Sequence, residues 1–126
     1  MVFQMTDLLS QGDYGKALVK LQQLLKMQQE PLAILGAIGG HFRRMATART
    51  LLDNGKTSGE LMRLCGLQDY PARKTMSAAG RFGAGFYAKA AELVLESDRQ
   101  MKTSFDDPKR ILEILIMDLA REVRNA

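Results

Sequence analysis

The stretch Gly12–Arg44, GDYGKALVKLQQLLKMQQEPLAILGAIGGHFRR, decides the fold class of this 126-residue chain. Asp13 places a carboxylate where it can accept from the free backbone N–H groups of a helix's first turn. Behind it, Tyr14, Ala17, Leu18, Leu21, Leu24 and Leu25 recur at three- and four-residue spacing, which lays one apolar stripe along a helix. A second helix opens at Glu30-Pro31, where proline loses no hydrogen bond it would otherwise make. Leu35, Ile38, Phe42 and Met45 carry it to about Leu52. The two are expected to form an antiparallel hairpin along one shared apolar seam.

The rest of the chain reads as helix on both sides of this pair. Val2 to about Ser10 is a short helix stopped by Gly12, expected to be the end of a preceding domain or a linker, with the main domain at 12–126. Asp53-Asn54-Gly55-Lys56 is a turn, and Thr57-x-x-Glu60 reads as a capping box opening a short helix. Gly66 ends that helix in a left-handed position, and Asp69-Tyr70-Pro71 opens another that reaches about Ala79. Gly80, Gly83 and Gly85 mark the next break. A long helix then runs from about Phe86 to Thr103, and Asp106-Asp107-Pro108 caps a last one that ends near Val123. No segment alternates as a strand does. Short connections between six to seven helices predict an all-α bundle.

Composition excludes several classes. No apolar run approaches the roughly 20 residues a membrane span needs. The single cysteine, Cys65, permits neither an internal disulfide nor a cysteine zinc site. It sits in an apolar context and is expected to be a buried thiol, and a reduced cytoplasm is the default compartment. The net charge is +4, and its distribution is uneven. Between Gly40 and Phe82 eight bases face three acids, a local +5, and the remainder sums to −1. Such a stretch can meet phosphate or an acidic partner, or be a solvated face.

Two places break simple amphipathicity. Ile111, Leu112, Ile114, Leu115, Ile116 and Met117 make the last helix apolar round most of its circumference. It must be covered on more than one side, by the bundle itself or by another protein. Asp98 falls on the apolar face of Tyr87, Ala91, Val94 and Met101, where a bare carboxylate is costly. An ion pair with Arg43 or Arg44 is the expected remedy.

Catalytic constellations are missing. His41 is the only histidine and lies mid-helix beside two arginines, and no Walker motif or nucleophile motif occurs. Gly36, Gly39 and Gly40 lie inside a helix at roughly 1 kcal/mol each relative to alanine, so packing is expected to require them. Gly36 and Gly40, one turn apart, would let another helix come close. Thr57 to Ala79 has the outline of a helix-turn-helix with Arg73, Lys74 and Arg81 on or past its second helix, though Met62 and Pro71 fit that motif poorly. A stand-alone helix-turn-helix DNA-binding protein is therefore the alternative reading. Phe105, in the loop between the two long helices and near Lys102, Lys109 and Arg110, either stacks on a nucleobase or folds back onto the core.

Taken together, these residues resemble the C-terminal part of the delta subunit of bacterial DNA polymerase III, which belongs to the sliding-clamp loader. The resemblance rests on Gly12-Asp13 with Lys16-Ala17-Leu18, Glu30-Pro31 with Ile34-Leu35, and Phe42-Arg43-Arg44. It continues through Gly55-Lys56, Gly66-Leu67, Asp98-x-x-Met101-Lys102 and Leu112-Glu113-x-Leu115. It implies a helical collar domain at 12–126, preceded at 1–11 by the end of an AAA+ lid-like helical domain. It further implies a non-catalytic part without cofactors, packing against gamma/tau and delta-prime collars in a pentameric loader of the cytoplasmic replisome. The sliding clamp would be met by an upstream segment. Ile111, Leu112, Leu115, Ile116 and Leu119 become the expected interface between subunits. Phe105, with Lys102, Lys109 and Arg110, becomes the expected contact to primer-template DNA.

Overall fold

Asp13 acts as its position predicts: its Oδ1 accepts from the Lys16 N–H at 3.2 Å. In the computed structural model, which describes residues 2–125, the helix it caps is the second of seven. They are α1 (Val2–Ser10), α2 (Tyr14–Lys26), α3 (Pro31–Asp53), α4 (Ser58–Cys65), α5 (Asp69–Ala79), α6 (Ala84–Thr103) and α7 (Pro108–Asn125). No strand occurs among the described residues. Gly66 ends α4 at φ 68°, and Asp107 caps α7 by accepting from the Lys109 N–H at 3.0 Å. Two local details differ from the sequence reading. The Thr57 side chain makes no cap bond, since the Glu60 N–H donates to the Thr57 carbonyl at 3.2 Å, and the Glu60 carboxylate turns to Arg63 at 2.7 Å instead of reaching back. The end of α2 is set by Gln28 at φ 61°, with the Gln29 N–H donating to the Leu24 carbonyl at 3.1 Å. Glutamine at a left-handed position leaves no sequence signal.

The expected α2–α3 hairpin is not formed. α2 packs on α1 and α7, whereas α3 packs on α6 and α5 and also meets α1, α4 and α7. The left-handed turn at Gln28 sends α3 away from α2. Burial on α3 also extends well beyond one stripe, from Ile34, Leu35 and Ile38 through Phe42 and Met45 to Ala48 and Leu51. A helix buried on several sides belongs at the centre of a bundle. Met5 and Leu9 of α1 are fully buried in the same core, so the boundary expected at residue 11 separates no packing unit.

The three glycines of α3 have different roles. A Cβ at position 39 would stand 3.1 Å from Val94 Cγ1, so Gly39 is where α6 comes close. At position 40 the space is taken by the helix's own Arg44 guanidinium, 3.2 Å away. Gly36 faces nothing within 4 Å. The close helix approach expected at Gly36 and Gly40 therefore occurs at Gly39.

Polar ties close the corner between α5 and α6. The Tyr87 hydroxyl donates to the Ala79 carbonyl at 3.0 Å, and Arg49 donates to the Phe82 carbonyl at 3.2 Å while pairing with Asp53. Arg81 donates to the Gln11 carbonyl and so joins this corner to the end of α1. Tyr14, buried close by, has no protein partner for its hydroxyl, and burial holds that group well above its ordinary range.

His41 binds α3 to α1. Its Nε2 lies 2.7 Å from Ser10 Oγ, whose own proton goes to the Thr6 carbonyl at 3.0 Å, so the imidazole is the donor. Burial pushes its pKa down to about 4, with Arg44 acting in the same direction and Asp7 opposing.

Gly36→Ala should stabilise the domain by about 0.5–1 kcal/mol in urea denaturation, because it gains helix propensity in open space. Gly39→Ala should gain less or lose, since its Cβ presses on Val94. For His41, the unfolded chain takes a proton below pH 6.5 that the folded chain refuses until about pH 4. Stability should fall over that window as pH drops, by an amount on the order of 2 kcal/mol. His41→Gln should remove that part of the loss, read as the difference between the two proteins' urea midpoints at pH 7 and pH 4.5.

Candidate protein and nucleic-acid interface

The loop between α6 and α7 is short and tied at both ends. Ser104 Oγ donates to the Gln100 carbonyl at 2.8 Å and accepts from the Asp106 N–H at 3.3 Å. This geometry turns Phe105 outward, fully exposed, so its ring does not fold back onto the core. Lys102, Lys109 and Arg110 are exposed around it. Lys102 is held by Asp98, and Asp106 and Asp107 lie beside the other two, so the corner is nearly neutral overall. Its distinctive offering is a free aromatic face more than a positive field.

The ion pair expected between Asp98 and Arg43 or Arg44 is not formed. Asp98 pairs with Lys102, one turn along the same helix, at 3.0 Å, and its side chain remains 36% exposed. A carboxylate with that much access to water needs no arginine from another helix. Arg43 and Asp98 line one groove, between α3 and α6, while Arg44 lies in another.

The expected interface on α7 needs a similar correction. Ile111, Leu112, Leu115, Ile116 and Leu119 are all at most 4% exposed and belong to the domain's own packing. They meet α6, α2 and α3 and cannot also face a partner. What α7 presents outward is Ile114 and Met117, 43% and 54% exposed. A second apolar surface was missed in the sequence. Leu32 and Leu95 border the α3–α6 groove, with Gly36 and Val94 between them, enclosing about 450 Å³. Leu95 is 70% exposed and sits off the apolar stripe of α6, a lone leucine on a polar side. That was the available signal.

The helix-turn-helix outline also takes a definite form. α4 and α5 pack on each other across Gly66. Arg73 is paired with Asp69 at 3.0 Å, and Lys74 reaches Asp7 of α1 at 2.7 Å. With Arg81 on the Gln11 carbonyl, both Lys74 and Arg81 are tied to α1 or its end, and Arg73 to Asp69 of its own helix. No group of three potential metal ligands occurs among the described residues, and no helix is long and apolar enough to cross a membrane.

Comparison with known proteins gives the chain its place. None of the curated proteins matches the sequence. Among solved structures, the fold is similar to the Bacillus subtilis DNA clamp loader delta protein (YqeN), with a TM-score of 0.85 at 20% identity. The match covers 95% of this chain and 35% of that one, so the chain spans about a third of that protein's length. Residues 1–119 match the family described as DNA polymerase III delta subunit, C-terminal domain. Seven helices ordered around a central α3, with that match over nearly the whole sequence, make this chain a member of the family of C-terminal domains from the DNA polymerase III delta subunit.

Proposed function

We propose that this domain is a non-catalytic collar module, through which a clamp-loader delta subunit joins gamma/tau and delta-prime subunits in the assembly that loads the sliding clamp on primed DNA. The observation that carries this reading is the family match over residues 1–119. In this reading the sliding clamp is met by another part of a longer protein, and the domain itself contributes assembly.

Two surfaces support a contact with neighbouring subunits. Ile114 and Met117 are apolar and outward on α7, and Leu32 and Leu95 flank the groove between α3 and α6. Gly36 strengthens the case for the groove. It sits within a helix at about 1 kcal/mol relative to alanine and gains no internal contact in return. A residue that breaks a local rule without internal compensation is expected where something outside comes close. Phe105, exposed at the α6–α7 corner, is proposed as the contact to primer-template DNA.

Leu95→Asp and the pair Ile114→Asp with Met117→Asp should leave helicity and the urea midpoint close to those of the parent. At least one should abolish co-elution with gamma/tau and delta-prime collars on size exclusion. Folded variants that all still assemble would place the ring contacts elsewhere. For Phe105, loss of a base stack costs about 1–3 kcal/mol, so Phe105→Ala should weaken primer-template binding by the complete loader accordingly. Unchanged anisotropy and unchanged loading rate would remove Phe105 from the DNA path.

A further inference from the structure

The groove between α3 and α6 is apolar along most of its length. Leu35, Gly39, Phe42 and Val94 lie in it, and Leu32 and Leu95 stand exposed at its edges. From Leu32 to Arg43 the α3 side runs roughly 16 Å, about three helical turns. Halfway along, Gly36 leaves the backbone bare, with nothing of the domain within 4 Å of where its Cβ would stand.

Two charged side chains line this groove, Arg43 and Asp98, and they sit apart. Phe42 meets Phe86 while Gly39 meets Val94, so the two helices run antiparallel here. Asp98 therefore falls toward the Leu35 end and Arg43 toward the other. Asp98 already has its cation in Lys102, at 3.0 Å. Arg43 makes no ion pair among the described residues, and its guanidinium folds back over Gly39 and Gly40, 3.5 Å from where either Cβ would stand. An apolar trough with one uncommitted guanidinium at its end fits an apolar ligand that carries one carboxylate there.

Shape and chemistry select among such ligands. No strand occurs among the described residues, so an extended peptide finds no sheet edge to pair with. A helix satisfies its own backbone and lays side chains at three- and four-residue spacing into a groove of this length. Bare backbone at Gly36 lets such a helix approach closely, since the separation of packed helices follows the side chains at their contact. Nucleic acid fits poorly, because the one aromatic ring lining the groove, Phe42, is 3% exposed and offers no face for stacking.

We propose that the α3–α6 groove receives an amphipathic helix of a neighbouring subunit, with a small residue over Gly36, apolar side chains between Leu32 and Leu95, and a carboxylate on Arg43. This docking mode rests on the assembly role proposed above and adds what the partner must bring to this face.

The test is fluorescence anisotropy of the labelled 126-residue chain titrated with purified gamma/tau and delta-prime subunits. Gly36→Met fills the trough from a helix that gains propensity, so its urea midpoint should equal or exceed the parent's while binding weakens by about tenfold or more. Arg43→Gln should weaken binding by about tenfold. It should also make affinity less sensitive to salt between about 0.1 and 1 M. Benzoylphenylalanine in place of Leu32 should crosslink to a partner helix with apolar residues at three- and four-residue spacing and an Asp or Glu on the same face. Should Gly36→Met not fold, Arg43→Gln and the crosslink decide. A parent that binds neither subunit overturns the assembly role and the docking mode together. A parent that binds, with folded Gly36→Met and Arg43→Gln binding as it does, overturns the docking mode alone. So does a crosslink to a partner segment without a carboxylate, or to a second copy of this chain.

Discussion

The close approach of α6 to α3 at Gly39, where a Cβ would stand 3.1 Å from Val94, is the constraint around which the bundle is arranged. α3 is buried on several sides and meets α1, α4, α5, α6 and α7, so its distance from α6 sets the space the others must fill. Phe42 and Phe86 fill part of that space, with ring centres 6.2 Å apart in an edge-on arrangement. α7 packs on α6 as well, and five of its apolar positions are buried in the domain's core.

Arginines of one short region serve three different ends. Arg49 satisfies the Phe82 carbonyl and, through its hydrogen bond, lowers the pKa of Asp53. Arg81 ties the α5–α6 corner to α1, while Arg44 stays without a carboxylate beside a neutral His41. The local charge of +5 is therefore partly structural. Counting charge along a sequence cannot separate these uses, because each depends on which carbonyl or carboxylate lies within about 3 Å of the guanidinium.

The two exposed apolar surfaces and the exposed Phe105 sit on elements whose cores are complete without them. α3, α6 and α7 hold rigid positions through their buried faces, while Leu32, Leu95, Ile114 and Met117 stay available on the outer faces. The proposed role in assembly rests on the family membership and on these surfaces.

Helix content and most helix ends were determined by the sequence alone. Periodicity at three and four residues, Asp13, Pro31, Gly66 and Asp107 act locally, within one turn of the positions they govern. The left-handed Gln28 escaped, since its conformation is forced by the turn and not favoured by its side chain. Which helix packs on which was decided by the tertiary structure. An apolar stripe states that a face must be buried but not against what, and so α2 found α1 and α7 instead of α3. The same reason buried Ile111, Leu112, Leu115, Ile116 and Leu119 within the domain, left Ile114 and Met117 outward on α7, and left Asp98 to Lys102. Burial and pairing are relations between distant segments, and a side chain's role follows from what occupies the space beside it.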